Sequence, residues 1–239
     1  MEVLNAGGAS DVVLLCEHAS NHIPAVYDGL GLSAGDLVRH IAWDPGAAAV
    51  TRLLSVRLDA PAFLGTYSRL LIDLNRPPAA ASSIVKRSEA TDIPGNAGIG
   101  TDEAEHRVRR IFQPFHDRVS ALLDARQAAG RAVRLVSIHS FTPVYLDEAR
   151  TWHGGVLYDR AEAFGRTVLA RLAEPGLKIG ANVPYASSRD EDYGVPVHGD
   201  DRGIPALLIE IRNDLIGDEA GVAAWAGRIA AALDRNDFR

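Results

Sequence analysis

Residues 11–24 (DVVLLCEHASNHIP) begin as apolar chain and end with Glu17, His18, Asn21 and His22, four polar side chains within six positions. Carboxylates and imidazoles move protons near neutral pH and ligate divalent cations, so this cluster is a candidate reaction site. A second histidine, His139, arrives in the same manner at the end of the apolar run 132–138 (AVRLVSI). Neutral imidazoles from two separate segments suit zinc, which takes nitrogen and oxygen ligands and keeps one position open in catalytic sites. His18 and His22 are four apart and would share a helix face. However, Ala19 stands where the helical zinc-protease pattern places its glutamate, so that motif is absent. The competing reading of each histidine alone is a hydrogen bond that braces its loop.

Glu210 interrupts an apolar run, 206–211 (ALLIEI). Burying an ionised carboxylate costs several kcal/mol unless a partner or a metal compensates. The candidates are an ion pair with Arg212 or Arg202, or a general base tuned by a metal-bound water. Arg76 follows an apolar segment and precedes Pro77-Pro78, which fixes its guanidinium; the planar fork fits a carboxylate in bidentate fashion, with Asn75 as a further donor. Arg69 supplies a second positive charge, or pairs with Asp73. Cys16, the lone cysteine, is read as a small buried hydrophobe rather than a nucleophile, and it excludes both an intrachain disulfide and a thiolate cluster.

These residues must be carried by elements, and the pattern alternates. Strands are expected at 11–16, around Phe63-Leu64, at 68–74 (SRLLIDL), at 132–138 and at 204–211; helices at 46–58, 102–129, 160–173 and 218–234, the last with Trp225 on its apolar side. The long helix is expected to bend at Pro114. Residues 79–100, rich in Ala, Ser, Gly and Pro, read as a long surface loop and a candidate lid. Alternation of this kind predicts an α/β domain with a mostly parallel sheet covered by helices on both faces. In such sheets ligands bind beyond the carboxyl ends of the strands, where His18, Asp73, Asn75, Arg76, His139 and Glu210 all fall.

The whole chain narrows the function classes. Its 239 residues show no repeat and no linker, so one domain over 1–239 is expected. Hydrophobic residues make up 47% and charged ones 23%, an ordinary globular composition. With 25 Lys and Arg against 31 Asp and Glu the net charge is −6, and the densest basic group, Arg107, Arg109 and Arg110, is balanced by Glu103 and Glu105. A solvated helix face is the reading there, and no nucleic-acid partner is expected. Neither a signal segment nor a membrane-length apolar run is present, which predicts an unexported cytoplasmic protein without membrane association. The sequence sets no oligomeric state.

Six segments in order, CEHASNHIP, AWDPGA, SRLLIDLNRPP, SIHSFTP, VHGDDRGIP and LLIEIRNDL, span residues 16 to 215. Together they make the chain resemble the N-formylglutamate amidohydrolase family, in a distant branch, and through it the zinc-dependent carboxypeptidases. The resemblance implies a three-layer α/β sandwich of the zinc-exopeptidase (phosphorylase/hydrolase-like) kind. It implies His18 and His139 as ligands of one zinc ion, Asn75 and Arg76 as binders of a substrate carboxylate, Glu210 as the catalytic glutamate, and Arg69 as an oxyanion partner. In those carboxypeptidases a glutamate three residues after the first histidine completes the metal site, whereas Asn21 stands here. Asp44 in AWDPGA is the preferred replacement because it restores a charged hard oxygen, ahead of Glu17 and His22. His198, in the polar VHGDD loop, is expected to contact substrate or transfer a proton, unless it only braces its loop. The expected activity is removal of a small acyl group such as formyl from an acidic amino acid. A carboxypeptidase-like hydrolase of peptide amides, and a metal-free carboxylate binder on the same scaffold, are the alternatives.

Overall fold

The computed structural model describes residues 1–234; residues 235–239 of the expected domain lie outside the described residues. Seven strands form the central sheet: β1 (Glu2–Leu4), β2 (Val12–Cys16), β3 (Ala62–Leu64), β4 (Arg134–Phe141), β5 (Gly154–Leu157), β6 (Ile179–Ala181) and β7 (Ala206–Arg212). Their order is β1-β3-β2-β4-β7-β5-β6. From β3 through β2 and β4 to β7 the strands run parallel, while β1 and β5 are antiparallel to β3 and β7, and β6 is parallel to β5. The sheet is therefore mixed and mostly parallel, as the alternation predicted.

Strands buried on both faces must be apolar at every position, and their alternate side chains then feed two cores. Leu14, Val136 and Ile209 face one way, against Leu54 of helix α1 (Ala47–Leu58), Val168 of α4 (Glu162–Leu172) and Ile229 of α5 (Glu219–Ala232). On the opposite side, Leu15, Leu135 and Leu208 meet Phe115, Val119 and Leu123 of α3 (Gln113–Ala128). Helix layers on both faces of one sheet complete a three-layer α/β sandwich. No helix among the described residues is long and apolar enough to cross a membrane.

Two expected elements differ. Residues 68–74 are turns rather than a strand. Their apolar side chains do not alternate: Leu70 and Leu71 enter a small third core, while Ile72 and Leu74 enter the α3 core. Ser68 fixes the turn by donating its hydroxyl to Ala42 O and accepting from the Leu70 amide, side-chain bonds that divert backbone from a ladder. The long helix runs on without a break, but its irregularity lies ahead of Pro114 rather than at it: α2 (Thr101–Arg107) passes through a π-turn at Val108–Phe112 into α3, with helical backbone at each junction. Pro114 sits in the first turn of α3, where its missing N–H costs little.

Residues 79–100 are more ordered than a plain loop. They hold a small hairpin, Arg87–Ser88 with Thr91–Asp92, and a turn of helix at Pro94–Ala97. Asn96 pins them, donating to Leu70 O and Val85 O and accepting from Arg107. Arg107 is itself buried and also donates to Leu71 O and Glu103, so it is a structural cation rather than part of a solvated face. Arg109, paired with Glu105 and exposed, does fit that expectation. Arg107→Met strands these acceptors and is expected to cost about 3 kcal/mol, or about 9 °C in Tm. A thermal melt displaced by under about 2 °C would contradict this anchoring role.

Candidate metal and catalytic site

The strand ends bring the chemistry together. His18 leaves β2 at its carboxyl end, and His139 and Glu210 are register partners on the adjacent parallel strands β4 and β7, pointing to the same side of the sheet. Asp44 reaches them from the turn ahead of α1, where its amide donates to His18 O at 2.9 Å. That turn needs Gly46: its φ is +83°, and a Cβ would lie 2.5 Å from Ile216 O. All four side chains line a cavity of about 470 Å³, in the size range of small-molecule sites.

His18 and His139 meet edge to face with ring centroids 4.7 Å apart. One ligand atom each from His18, Asp44 and His139 lies within 4.8 Å of the others. Each imidazole is held from behind by a buried carboxylate. His18 Nε2–H donates to Asp73 Oδ1 at 2.6 Å, and His139 Nε2–H donates to Glu17 Oε2 at 3.1 Å. Such outer carboxylates fix the tautomer and turn the other nitrogen toward a cation. Both Nδ1 atoms accordingly face Asp44 Oδ2, at 3.4 Å from His18 and 2.9 Å from His139. His18 Nδ1 is buried with no hydrogen-bond partner.

The electrostatics point the same way. Four buried carboxylates, Glu17, Asp44, Asp73 and Glu210, surround the two rings, with Arg69 as the neighbouring guanidinium. Burial opposes ionisation of Asp44, but His18 and His139 outweigh it and hold its carboxyl well below the usual range. Burial likewise pushes His139 down, yet its bonds to Asp44 and Glu17 win and raise it well above an ordinary imidazole. A site that demands positive charge on a nitrogen facing a carboxylate fits a divalent cation bound in the proton's place. Two imidazoles and one carboxylate make a donor set that suits a divalent cation such as zinc.

The other third-ligand candidates turn elsewhere. Asn21 Nδ2 donates to Leu37 O, His22 stacks on Tyr67, and Glu17 serves behind His139 while accepting from Ser137. No helix forms around His18 and His22, so they share no helix face.

Glu210 is 7% exposed, and its Oε2 is buried without a partner. Neither arginine considered for it is its partner: Arg212 pairs with Asp214 and Arg202 with Asp124. Burial lifts its carboxyl to about 7, against the pull of His139, so it is poised to accept a proton near neutral pH. Arg69 both braces and borders the site. Its Nε and Nη2 donate to Asp73 Oδ2 at 3.0 and 2.6 Å, and Nη1 lies 3.6 Å from Asp44.

Asn75 and Arg76 also line the cavity, but protein groups engage them. Asn75 Oδ1 accepts from the Gly194 amide, and its Nδ2 donates to Asp192 at 3.3 Å. Arg76 Nη1 donates to Glu191 O at 2.7 Å and to Asp192 at 3.0 Å. Ser82, Val85 and Ser88 make the segment 79–100 one wall of the cavity. His198 is not among the lining residues. It is buried, and its Nε2 lies 2.8 Å from His116 Nδ1, whose own Nε2 bonds Leu74 O. The expected substrate contact is thus replaced by a paired histidine, which a polar loop sequence does not reveal. Outside the sequence reading altogether were His116, Tyr185 and Asp192; none lies in a segment whose pattern marks it.

A family model for N-formylglutamate amidohydrolase matches residues 10–217. The crystal structure of a gene product from Agrobacterium tumefaciens is 43% identical, with a TM-score of 0.94, over 97% of this chain and 92% of that one. An N-formylglutamate amidohydrolase from Ralstonia eutropha is 20% identical at a TM-score of 0.67, over 97% of this chain and 94% of the other, a likeness of fold. No protein of curated function matches. With the family model covering most of the length over the same segments that build the cavity, the chain belongs to the N-formylglutamate amidohydrolase family.

Proposed function

We propose that this protein is a zinc-dependent amidohydrolase that removes a small N-acyl group, formyl above all, from an acidic amino acid such as N-formylglutamate. The observation that carries the reading is the convergence of His18 Nδ1, His139 Nδ1 and Asp44 beside the unpartnered Glu210 Oε2. His18, Asp44 and His139 would hold one zinc ion per chain, which when bound would lower the pKa of a water and polarise the acyl carbonyl. Glu210 takes the proton of the attacking water and delivers it to the leaving nitrogen. Arg69, which lines the cavity and is 25% exposed at its side chain, is the cation we assign to the oxygen that gains negative charge. Arg76 and Asn75 hold the α-carboxylate, which replaces Asp192 on the guanidinium. His198, bonded to His116 outside the cavity lining, is assigned a bracing part rather than a chemical one. Residues 1–239 work as one domain, and the single, buried Cys16 suits a reducing cytoplasm.

Purified protein is expected to carry zinc near one per chain and to hydrolyse N-formylglutamate faster than short peptides of similar size. Asp44→Ala is expected to weaken zinc binding by about tenfold or more, as read by competition with a chromogenic chelator. Full zinc affinity in that variant would remove Asp44 from the site. Persistent absence of zinc with intact carboxylate binding would favour a metal-free binding protein instead.

A further inference from the structure

We propose that the side chain of the substrate lies on an apolar floor formed by Leu157 and Leu208, so that N-formyl derivatives of apolar amino acids such as leucine are substrates of this site beside the acidic one. Such a seat presupposes the acyl amino acid reading above and adds a second substrate class to it.

The floor belongs to the same strands as the reacting groups. Leu208 precedes Glu210 by two residues on β7, so the two side chains leave the same face of the sheet about 6.6 Å apart along the strand. Leu157, at the end of β5, is the register partner of Leu208. Phe141 follows His139 by two residues on β4 and takes that face as well. All three line the cavity, yet Leu157, Leu208 and Phe141 are only 3%, 5% and 3% exposed, so they form its inner end. Tyr185 and Ala186, both exposed, extend the apolar lining toward solvent.

Charge is distributed differently. Apart from the two candidate metal ligands, each basic side chain of the lining already faces a carboxylate: Arg69 pairs with Asp73, Arg76 with Asp192, and His40 Nε2 lies 3.3 Å from Glu89. With Arg76 taken by the α-carboxylate and Arg69 by Asp73, the lining among the described residues offers a side chain apolar contact rather than a further ion pair. The cavity of about 470 Å³ is also far larger than a formyl group and an α-carboxylate fill.

Moving a methylene from water onto such a surface is worth about fourfold in affinity. Leucine adds three carbons to alanine and gains accordingly. Glutamate uses the same floor, its two methylenes lying on it while the terminal carboxylate reaches the open mouth. Hydrolysis is identical in both cases. Water adds to the formyl carbon and the C–N bond breaks, leaving formate and an ammonium group that carries both protons of the water.

The test compares N-formylleucine, N-formylalanine and N-formylglutamate as substrates of the zinc-loaded protein. In parallel, calorimetry measures binding of 4-methylpentanoate, propanoate and glutarate, the same skeletons without nitrogen. Wild type is expected to show kcat/KM for N-formylleucine about tenfold or more above that for N-formylalanine, and to bind 4-methylpentanoate about tenfold or more tightly than propanoate. Leu157→Phe fills the floor and is expected to reduce both ratios to about twofold or less. Ala186→Leu, at an exposed position of the same lining, is expected to lower them about threefold and gives the reading if the first variant does not fold. Turnover of N-formylglutamate without N-formylleucine, ratios near one in wild type, or ratios unchanged in both variants overturn the inference. An intact 4-methylpentanoate preference without turnover of any formyl amino acid would sink the hydrolase reading and leave the apolar floor standing.

Discussion

Glu210→Gln is expected to lower kcat on N-formylglutamate by about 10²- to 10⁴-fold, the range a positioned general base contributes. The amide matches the carboxyl in shape, so the pleated β7 backbone and its pairing with β4 are undisturbed. What disappears is an oxygen that can accept the proton of water. Oε2 is suited to that task because it is buried, lacks a partner, and belongs to a carboxyl lifted to about 7. Zinc content and glutarate binding should stay near wild-type values, which separates loss of the base from loss of the site. Steady-state kinetics with parallel metal analysis are the measurements, and undiminished turnover in the variant would remove Glu210 from the reaction.

The second large effect concerns stability. His116 and His198 stack 5.1 Å apart within the α3 core. Their bonds assign the protons: His116 Nε2–H donates to Leu74 O, so its Nδ1 accepts from His198 Nε2–H. Burial pushes His116 down to about 3, with His198 adding to it, and pushes His198 down to about 4. Both folded values lie below the unfolded imidazole near 6.5, so between these limits the unfolded chain binds more protons. The stabilisation is complete above about 6.5 and is lost as pH falls toward 4 and 3. Acidification from pH 7 to 4.5 should withdraw about 5 kcal/mol through this pair. Glu210 opposes the trend, since a carboxyl raised to about 7 loses stability as pH rises through the same window. The decisive quantity is therefore the difference in urea-unfolding free energy against pH between wild type and His116→Gln/His198→Gln. Identical slopes in the two proteins would contradict the buried neutral pair.

How far these features were legible in the sequence follows from the range of the forces involved. Runs such as 132–138 and 206–211 are apolar at every position because both faces of their strands are covered, and such runs announce both the strand and the side chain that ends it. His139 and Glu210 were visible for that reason. Residues 68–74 look like the same kind of run but turn, because two separate cores divide their side chains and Ser68 bonds the backbone locally. Asp44 entered through the charge a metal site would lack, an argument about composition that the turn at Gly46 makes geometric. His116 was hidden on an amphipathic helix, where one polar residue on the inner face does not alter the period. The pairing of Arg76 with Asp192 spans 116 positions and leaves no local mark at either end.

Neighbourhood of His139 and Glu210 is a property of strand register, and strands in a sheet stand about 4.8 Å apart whatever the loops do. The mouth of the cavity, built from 79–100, 144–149 and 185–192, can therefore be lengthened, shortened or exchanged to admit a different acyl group without moving the proton acceptor relative to the imidazole. One inserted residue inside β7 ahead of Glu210 has the opposite consequence. It rotates the carboxylate to the far side of the pleat, among the aliphatic side chains facing α5. Reprogramming of this scaffold belongs at its rim, and its ladder is the part to leave alone.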